Sequence, residues 1–163
     1  MINSNETVLE VRDLTYKYHN GTVAIENINM QINRGEKVAV IGSNGAGKST
    51  TMNMMTGYLA ATEGQILVDG HDMFEEPEAA KRCMGYLPEI PPLYPDLRVR
   101  EYLLFVAELK KEKQASRAKT VHKIMVKTGV NDVSERLIRN LSKGYKQRVG
   151  LAAAMLGNPD ILI

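Results

Sequence analysis

Residues 42–50 read Gly-Ser-Asn-Gly-Ala-Gly-Lys-Ser-Thr and fit the pattern G-x-x-x-x-G-K-[ST]. No other stretch constrains the chain as much, because this loop works only between a strand and a helix. Residues 37–41 (Lys-Val-Ala-Val-Ile) form an apolar, β-branched run that predicts a buried strand. Residues 49–57 carry Met52, Met54 and Met55 among helix formers. Glycines let backbone pass close to an anion, and consecutive N–H groups then point inward. The helix start adds unpaired N–H groups and the positive end of its dipole. The expected phosphate cradle is therefore Gly42, Ser43, Asn44, Gly45, Ala46, Gly47, Lys48, Ser49 and Thr50, with Lys48 reaching the β- and γ-phosphates. Ser49 offers the hard oxygen that Mg²⁺ prefers. A dinucleotide fingerprint is excluded by spacing, since these glycines read G-x-x-G-x-G.

The remaining composition narrows the class. At 163 residues the chain is long enough for one domain with a core. A formal charge of +2 gives no argument for nucleic acid. The single cysteine, Cys83, excludes an internal disulfide and reads as a half-buried structural thiol. No apolar run approaches a membrane span, and residues 1–7 are polar and short, unlike a signal peptide. A cytoplasmic location is expected, with docking onto a membrane partner left open.

Along the chain, residues 8–16 alternate apolar and polar, a turn signal follows at His19, Asn20 and Gly21, and residues 23–32 continue with Ile25, Ile28, Met30 and Ile32. Short strands are expected at 65–68, 84–87 and 159–163, and a short helix at 77–82 with Pro77 at its start. After Pro95 the period becomes helical: Val99, Leu103, Val106 and Leu109, then Val121, Ile124, Met125 and Thr128. A further helix is expected over 142–156, with Ser142 as its N-cap.

A phosphate loop alone leaves several classes open. The D-x-x-G and N-K-x-D patterns of GTP switches do not occur, whereas small-molecule kinases share the loop. Residues 141–148, Leu-Ser-Lys-Gly-Tyr-Lys-Gln-Arg, precede an alanine-rich helix and then Asn158-Pro159-Asp160-Ile161-Leu162-Ile163. This order closely resembles the signature region of ATP-binding cassette (ABC) ATPases, whose consensus is L-S-G-G-Q. The string from Gly85 to Phe105 looks like ATPases of ABC-2 type exporters and gliding-motility transporters. The resemblance runs from Val8 to Ile163. It implies an α/β P-loop NTPase (ABC ATPase) fold with an N-terminal antiparallel β subdomain and a helical insertion. The expected layout is one partial cassette domain over 1–163. Residues 8–95 would form the β subdomain and loop core, 96–141 the helical subdomain, and 142–163 the signature helix with the start of the next strand.

The resemblance also implies roles. ATP and Mg²⁺ are the expected ligands. Tyr18 would stack on adenine, with Tyr16 as the competing candidate. Ser142 and Gly144 would hold the γ-phosphate of ATP bound to a second nucleotide-binding subunit. Glu89, in Tyr86-Leu87-Pro88-Glu89, stands where a glutamine normally contacts Mg²⁺ and the attacking water. It can present an oxygen to the metal but brings a negative charge and lacks the amide donor. Lys143 and Tyr145 replace a glycine and the glutamine of the consensus. Arg98 has no hydroxyl for a capping box, which leaves Asp96 as the alternative cap.

Family members continue the last strand into an aspartate and a catalytic glutamate; Asp160 precedes its apolar run, so it cannot serve. The expectation is that the fold is incomplete at the C-terminus, and that this stretch binds nucleotide weakly and turns it over negligibly. The implied parent protein is the ATP-binding subunit of an exporter, on the inner face of the membrane beside a membrane-spanning permease, with no nucleic acid bound. Two alternatives stay open: a soluble ABC-type ATPase acting on ribosome or DNA, and a non-catalytic nucleotide-binding module.

Overall fold

The computed structural model describes residues 6–163. The polar stretch 1–5, part of the segment read above as unlike a signal peptide, lies outside them. The chain divides into two compact units, one running up to Met84 and including Ile163, the other Gly85–Leu162.

The first unit is built on an antiparallel hairpin. Strand β1 (Thr7–Lys17) pairs with β2 (Val23–Asn33) on one edge and with β3 (Glu63–Val68) on the other, and β4 (His71–Asp72) completes the order β2-β1-β3-β4. The hairpin loop closes where the turn signal stood: Tyr18 N donates to Thr22 O at 2.8 Å and Gly21 N to Tyr18 O at 2.9 Å. Leu9 lies opposite Ile32 and Val68, and Val11 opposite Met30 and Ile66.

Simple alternation fails at Asp13 and Asn27, which both take left-handed backbone with φ 49 and 51. Short polar side chains tolerate that region because they bond locally. Asn29 supplies the bonds, its Oδ1 accepting from Asp13 N and its amide donating to Asp13 Oδ1, each at 3.0 Å. An extra residue in a strand reverses which side chains face the core. That is why Leu14 returns to the interior, and why Ile25 is buried while Glu26 is exposed. Gly64 faces the bulge on β3; a Cβ there would come within 2.5 Å of the carbonyl oxygens of Arg12 and Asp13. Met54 and Met55 of helix α1 (Lys48–Met55) are buried in this unit with Leu9, Leu14, Ile66 and Met73. Helix α2 (Pro77–Arg82) begins with proline at its first position, as expected.

Asp72 is a buried carboxylate held by the turn after β4. Burial pushes its pKa up, but Phe74 N–H, Glu75 N–H and the Gln65 side chain bond to it and together hold it below the ordinary value. A folded pKa below the unfolded one makes the stabilisation complete above about pH 4 and lost as pH falls through the folded value. Urea denaturation of the Asp72→Asn variant should therefore give a shallower loss of stability between pH 5 and pH 3, on the order of one unit either side of the unfolded pKa. An unchanged slope would remove Asp72 from the acid response.

Residues 37–41 depart from expectation. They form no strand, and Val38, Val40 and Ile41 are 55%, 38% and 90% exposed. β-branched residues favour a strand only where a neighbouring strand accepts the backbone ladder and covers the side chains. No strand among the described residues pairs with this segment.

The second unit is helical apart from two short strand pieces. Helices α3 (Val99–Leu109), α4 (Gln114–Thr128) and α5 (Lys143–Met155) enclose one core. The expected spacing supplies Val99, Leu103, Val121, Ile124 and Met125, joined by Val149 and Ala152 of α5 and its C-cap residue Leu156. Leu109, read as part of that stripe, is 64% exposed at the end of α3. Strand β5 (Met84–Gly85) is shorter than expected, and β6 (Ile161–Leu162), read as buried, leaves Leu162 49% exposed.

Helix α3 is capped differently from the sequence reading. Asp96 pairs with Arg139 at 3.1 Å instead of capping. Arg98 is the N-cap residue; its guanidinium can only donate, and does so to Glu135 O, so only half a capping box forms: Glu101 Oε2 accepts from Arg98 N at 2.8 Å. The next two N–H groups find distant carbonyls, Val99 N bonding to Arg136 O and Arg100 N to Ser134 O.

Candidate functional site

The glycine loop belongs to the first unit. Residues 44–47 turn and bend, and α1 starts at Lys48. Gly45 and Gly47 both have φ 84. At Gly47 two demands coincide, because a Cβ there would lie 2.3 Å from Ile25 Cγ2 and 3.1 Å from Ala24 O. The loop is thus pressed against β2 by the one residue type that fits. Around Gly45 nothing lies within 4 Å of a built Cβ, so the loop's outer side is open.

Internal bonds set the loop's shape. Ala46 N donates to Ser43 O at 3.2 Å, while Gly47 O accepts from Thr51 N and from Thr51 Oγ1 at 2.9 and 3.0 Å. Lys48 folds back, its Nζ donating to Gly42 O and Ser43 O, each at 2.7 Å. Gly47 is the N-cap of α1 and has no side chain to satisfy the first-turn N–H groups. No acidic residue occupies that first turn, so nothing there opposes an anion. Ser49 is exposed and Thr50 half-buried. An open cradle, a cation folded over it and a serine hydroxyl beside it fit a Mg²⁺-nucleotide.

Tyr18 lies at the start of the hairpin loop in the same unit and is 47% exposed. Tyr16 meets it edge-on, with ring centroids 5.1 Å apart at 82°. The two aromatic candidates are therefore one pair, with Tyr18 the more open ring.

Glu89, Ser142 and Gly144 belong to the second unit. Glu89 is exposed, and its backbone carbonyl accepts from Gln147 Nε2 at 2.5 Å. This ties the stretch around Glu89 to α5. A shallow cavity of about 250 Å³ beside it is lined by Ile90, Pro91, Leu93, Lys143 and Gln147. Ile90 is 85% exposed there. Ser142 is the N-cap of α5, with Oγ accepting from Tyr145 N at 3.4 Å. Gly144 has open space where a side chain would be.

In the sequence Tyr145 stands only as a replacement for the consensus glutamine. Its hydroxyl donates to Asp132 Oδ2 at 2.8 Å and its ring lies under the Arg148 guanidinium, 5.5 Å from centroid to Cζ. The Asp132 carboxylate that accepts this bond raises the tyrosine pKa. Nothing in the sequence marks Asp132, thirteen residues away, as a partner.

An antiparallel β unit, a glycine loop opening a helix, and a helical unit with a serine-capped α5 define the α/β phosphate-loop fold of the cassette ATPases. The profile of the ABC transporter family matches residues 25–163, and the chain belongs to that family. It is 34% identical to the Escherichia coli (strain K12) "Probable multidrug ABC transporter ATP-binding protein YbhF" over 157 residues, covering 96% of this chain and 27% of that protein. It is 31% identical to the Bacillus licheniformis "Bacitracin transport ATP-binding protein BcrA", covering 96% of this chain and 50% of that one. Among solved structures, cbiO1 from Clostridium perfringens, described as part of the ABC transporter complex cbiONQ, superposes with a TM-score of 0.86 at 30% identity over 97% of this chain and 64% of its own. The chain thus spans about a quarter to a half of the length of these curated relatives. Among the described residues no helix is long and apolar enough to cross a membrane.

Proposed function

We propose that the chain is the nucleotide-binding part of an ABC transporter, and that ATP with Mg²⁺ binds at residues 42–50. The observation that carries this is the loop itself: left-handed Gly45 and Gly47, an open outer side, and Lys48 holding two loop carbonyls that phosphate oxygens would replace. Ser49 holds the metal, which when bound neutralises charge on the phosphate oxygens. Tyr18 would stack on the adenine, and Glu89 would be the residue that contacts the metal and the attacking water. Ser142 and Gly144, at the start of α5, clasp the terminal phosphate of ATP carried by a second nucleotide-binding subunit. In the whole protein this pairing drives hydrolysis and movement of a membrane-spanning permease at the cytoplasmic face. Residues 96–141 act as the helical subdomain of that assembly, and nucleic acid has no part in it. The names of the bacterial multidrug and bacitracin relatives support export as the direction.

The test is a titration with ATP and Mg²⁺ followed by sedimentation. We expect a saturable isotherm in the micromolar to millimolar range, about −8 to −4 kcal/mol. In the intact protein we expect ATP to convert monomers to dimers, and Ser142→Arg to block that conversion without weakening binding to the monomer. No saturable binding would sink the proposal at its base. Binding without ATP-driven pairing would leave a non-catalytic nucleotide module.

A further inference from the structure

The start of α5 is weakly secured by its own sequence. Its cap bond, Tyr145 N to Ser142 Oγ, is long at 3.4 Å. Its first turn has no acidic residue to favour the positive helix end, and Gly144, a poor helix former, occupies its second position. Lys143 and Gly144 are both exposed, and nothing lies near Gly144. Among the described residues of this first turn, Tyr145 is the side chain seen to hydrogen-bond to another element of the unit. Tyr145 reaches across to Asp132 in the 3-10 turn Asn131–Val133, its hydroxyl donating at 2.8 Å. Arg148, one turn further along α5, covers the ring. The guanidinium also lies beside Gly129, the C-cap of α4, with its Nη1 3.6 Å from a Cβ built there. Carbonyls at the end of a helix favour a cation in that position. The Tyr145–Arg148 pair therefore links three elements: the end of α4, the turn after it and the start of α5.

We infer that Tyr145 is a positioning residue: through Asp132 and Arg148 it fixes the first turn of α5, so that Ser142 and Gly144 are held ready for the terminal phosphate brought by a second subunit. The inference rests on the pairing reading above and adds the part that pre-organises it. Donors held in place before the ligand arrives lose less freedom on binding.

The closing experiment compares Tyr145→Phe, Asp132→Ala and Asp132→Asn in the intact protein. Tyr145→Phe keeps the ring and its cation contact and removes only the hydroxyl. We expect it to weaken ATP-driven dimerisation about three- to tenfold, the typical net worth of one hydrogen bond. ATP affinity of the monomer should be unchanged, while amide hydrogen exchange in residues 143–146 quickens by a similar factor. Asp132→Ala should match Tyr145→Phe, and combining the two should cost no more than either alone. Asp132→Asn retains a carbonyl acceptor and should restore most of the dimerisation. If Tyr145→Phe dimerises like the unaltered protein, or if the two losses add in full, the positioning role is overturned while the pairing reading stands. If the unaltered protein binds ATP and never pairs, both are overturned together.

Discussion

ATP affinity should fall about 10- to 100-fold when Lys48 is replaced by alanine, as read by calorimetric titration with Mg²⁺ present. The size follows from what the ammonium does in the loop. It is bonded to two backbone carbonyls, Gly42 O and Ser43 O, at 2.7 Å each. Nucleotide binding exchanges neutral acceptors for charged phosphate oxygens, and charge-assisted bonds are roughly twice as strong as neutral ones. One such bond, at about 1.5–3 kcal/mol, corresponds to the stated range. The fold itself should notice little, because a half-buried lysine bonded only to its own loop contributes about 1 kcal/mol. Affinity within twofold of the unaltered chain would show that the loop does not hold phosphate through Lys48.

Gly47→Ala should destabilise the first unit by about 2–5 kcal/mol, measured by urea denaturation. Two costs combine at this residue. Alanine at φ 84 pays the left-handed penalty of about 1–2 kcal/mol. Its Cβ would also stand 2.3 Å from Ile25 Cγ2, so the loop or β2 must shift. Overpacking of this kind typically costs about 1–3 kcal/mol. The two parts separate in an Ile25→Ala background, where the 2.3 Å contact is gone and the backbone penalty of about 1–2 kcal/mol remains with the 3.1 Å approach to Ala24 O. Equal losses in both backgrounds would show that the clash contributes nothing. Either way ATP binding should weaken with stability, since the same shift opens the cradle.

What could be read from the sequence was what local chemistry decides. The glycine and lysine spacing of residues 42–50, the Ser142 cap, Pro77 at a helix start and the apolar spacing of Val99 and Leu103 each depend on residues a few positions apart. The bulge was missed. Ile25, Ile28, Met30 and Ile32 read as one alternating run, but Ile25 and Ile28 are three residues apart and cannot share the face of an unbroken strand; the left-handed Asp13 and Asn27 explain how both belong to the hairpin. Hidden features were those whose partners lie far along the chain. The N–H groups of α3 bond to Ser134 and Arg136, and Tyr145 bonds to Asp132, so inspection of either end alone reveals neither. Residues 37–41 erred in the opposite direction. Their composition argues for a strand, but a strand is a property of a pair.

That bare segment has a thermodynamic consequence. Val38, Val40 and Ile41 lead directly into Gly42, the first residue of the cradle. Any strand that zips along this seam covers hydrocarbon and steadies the leading edge of the anion grip in one event. Closure of the seam and occupancy of the grip are then linked equilibria, each raising the other by the same factor. A nucleotide would favour sheet completion, and an added strand would lower the concentration at which the nucleotide is held.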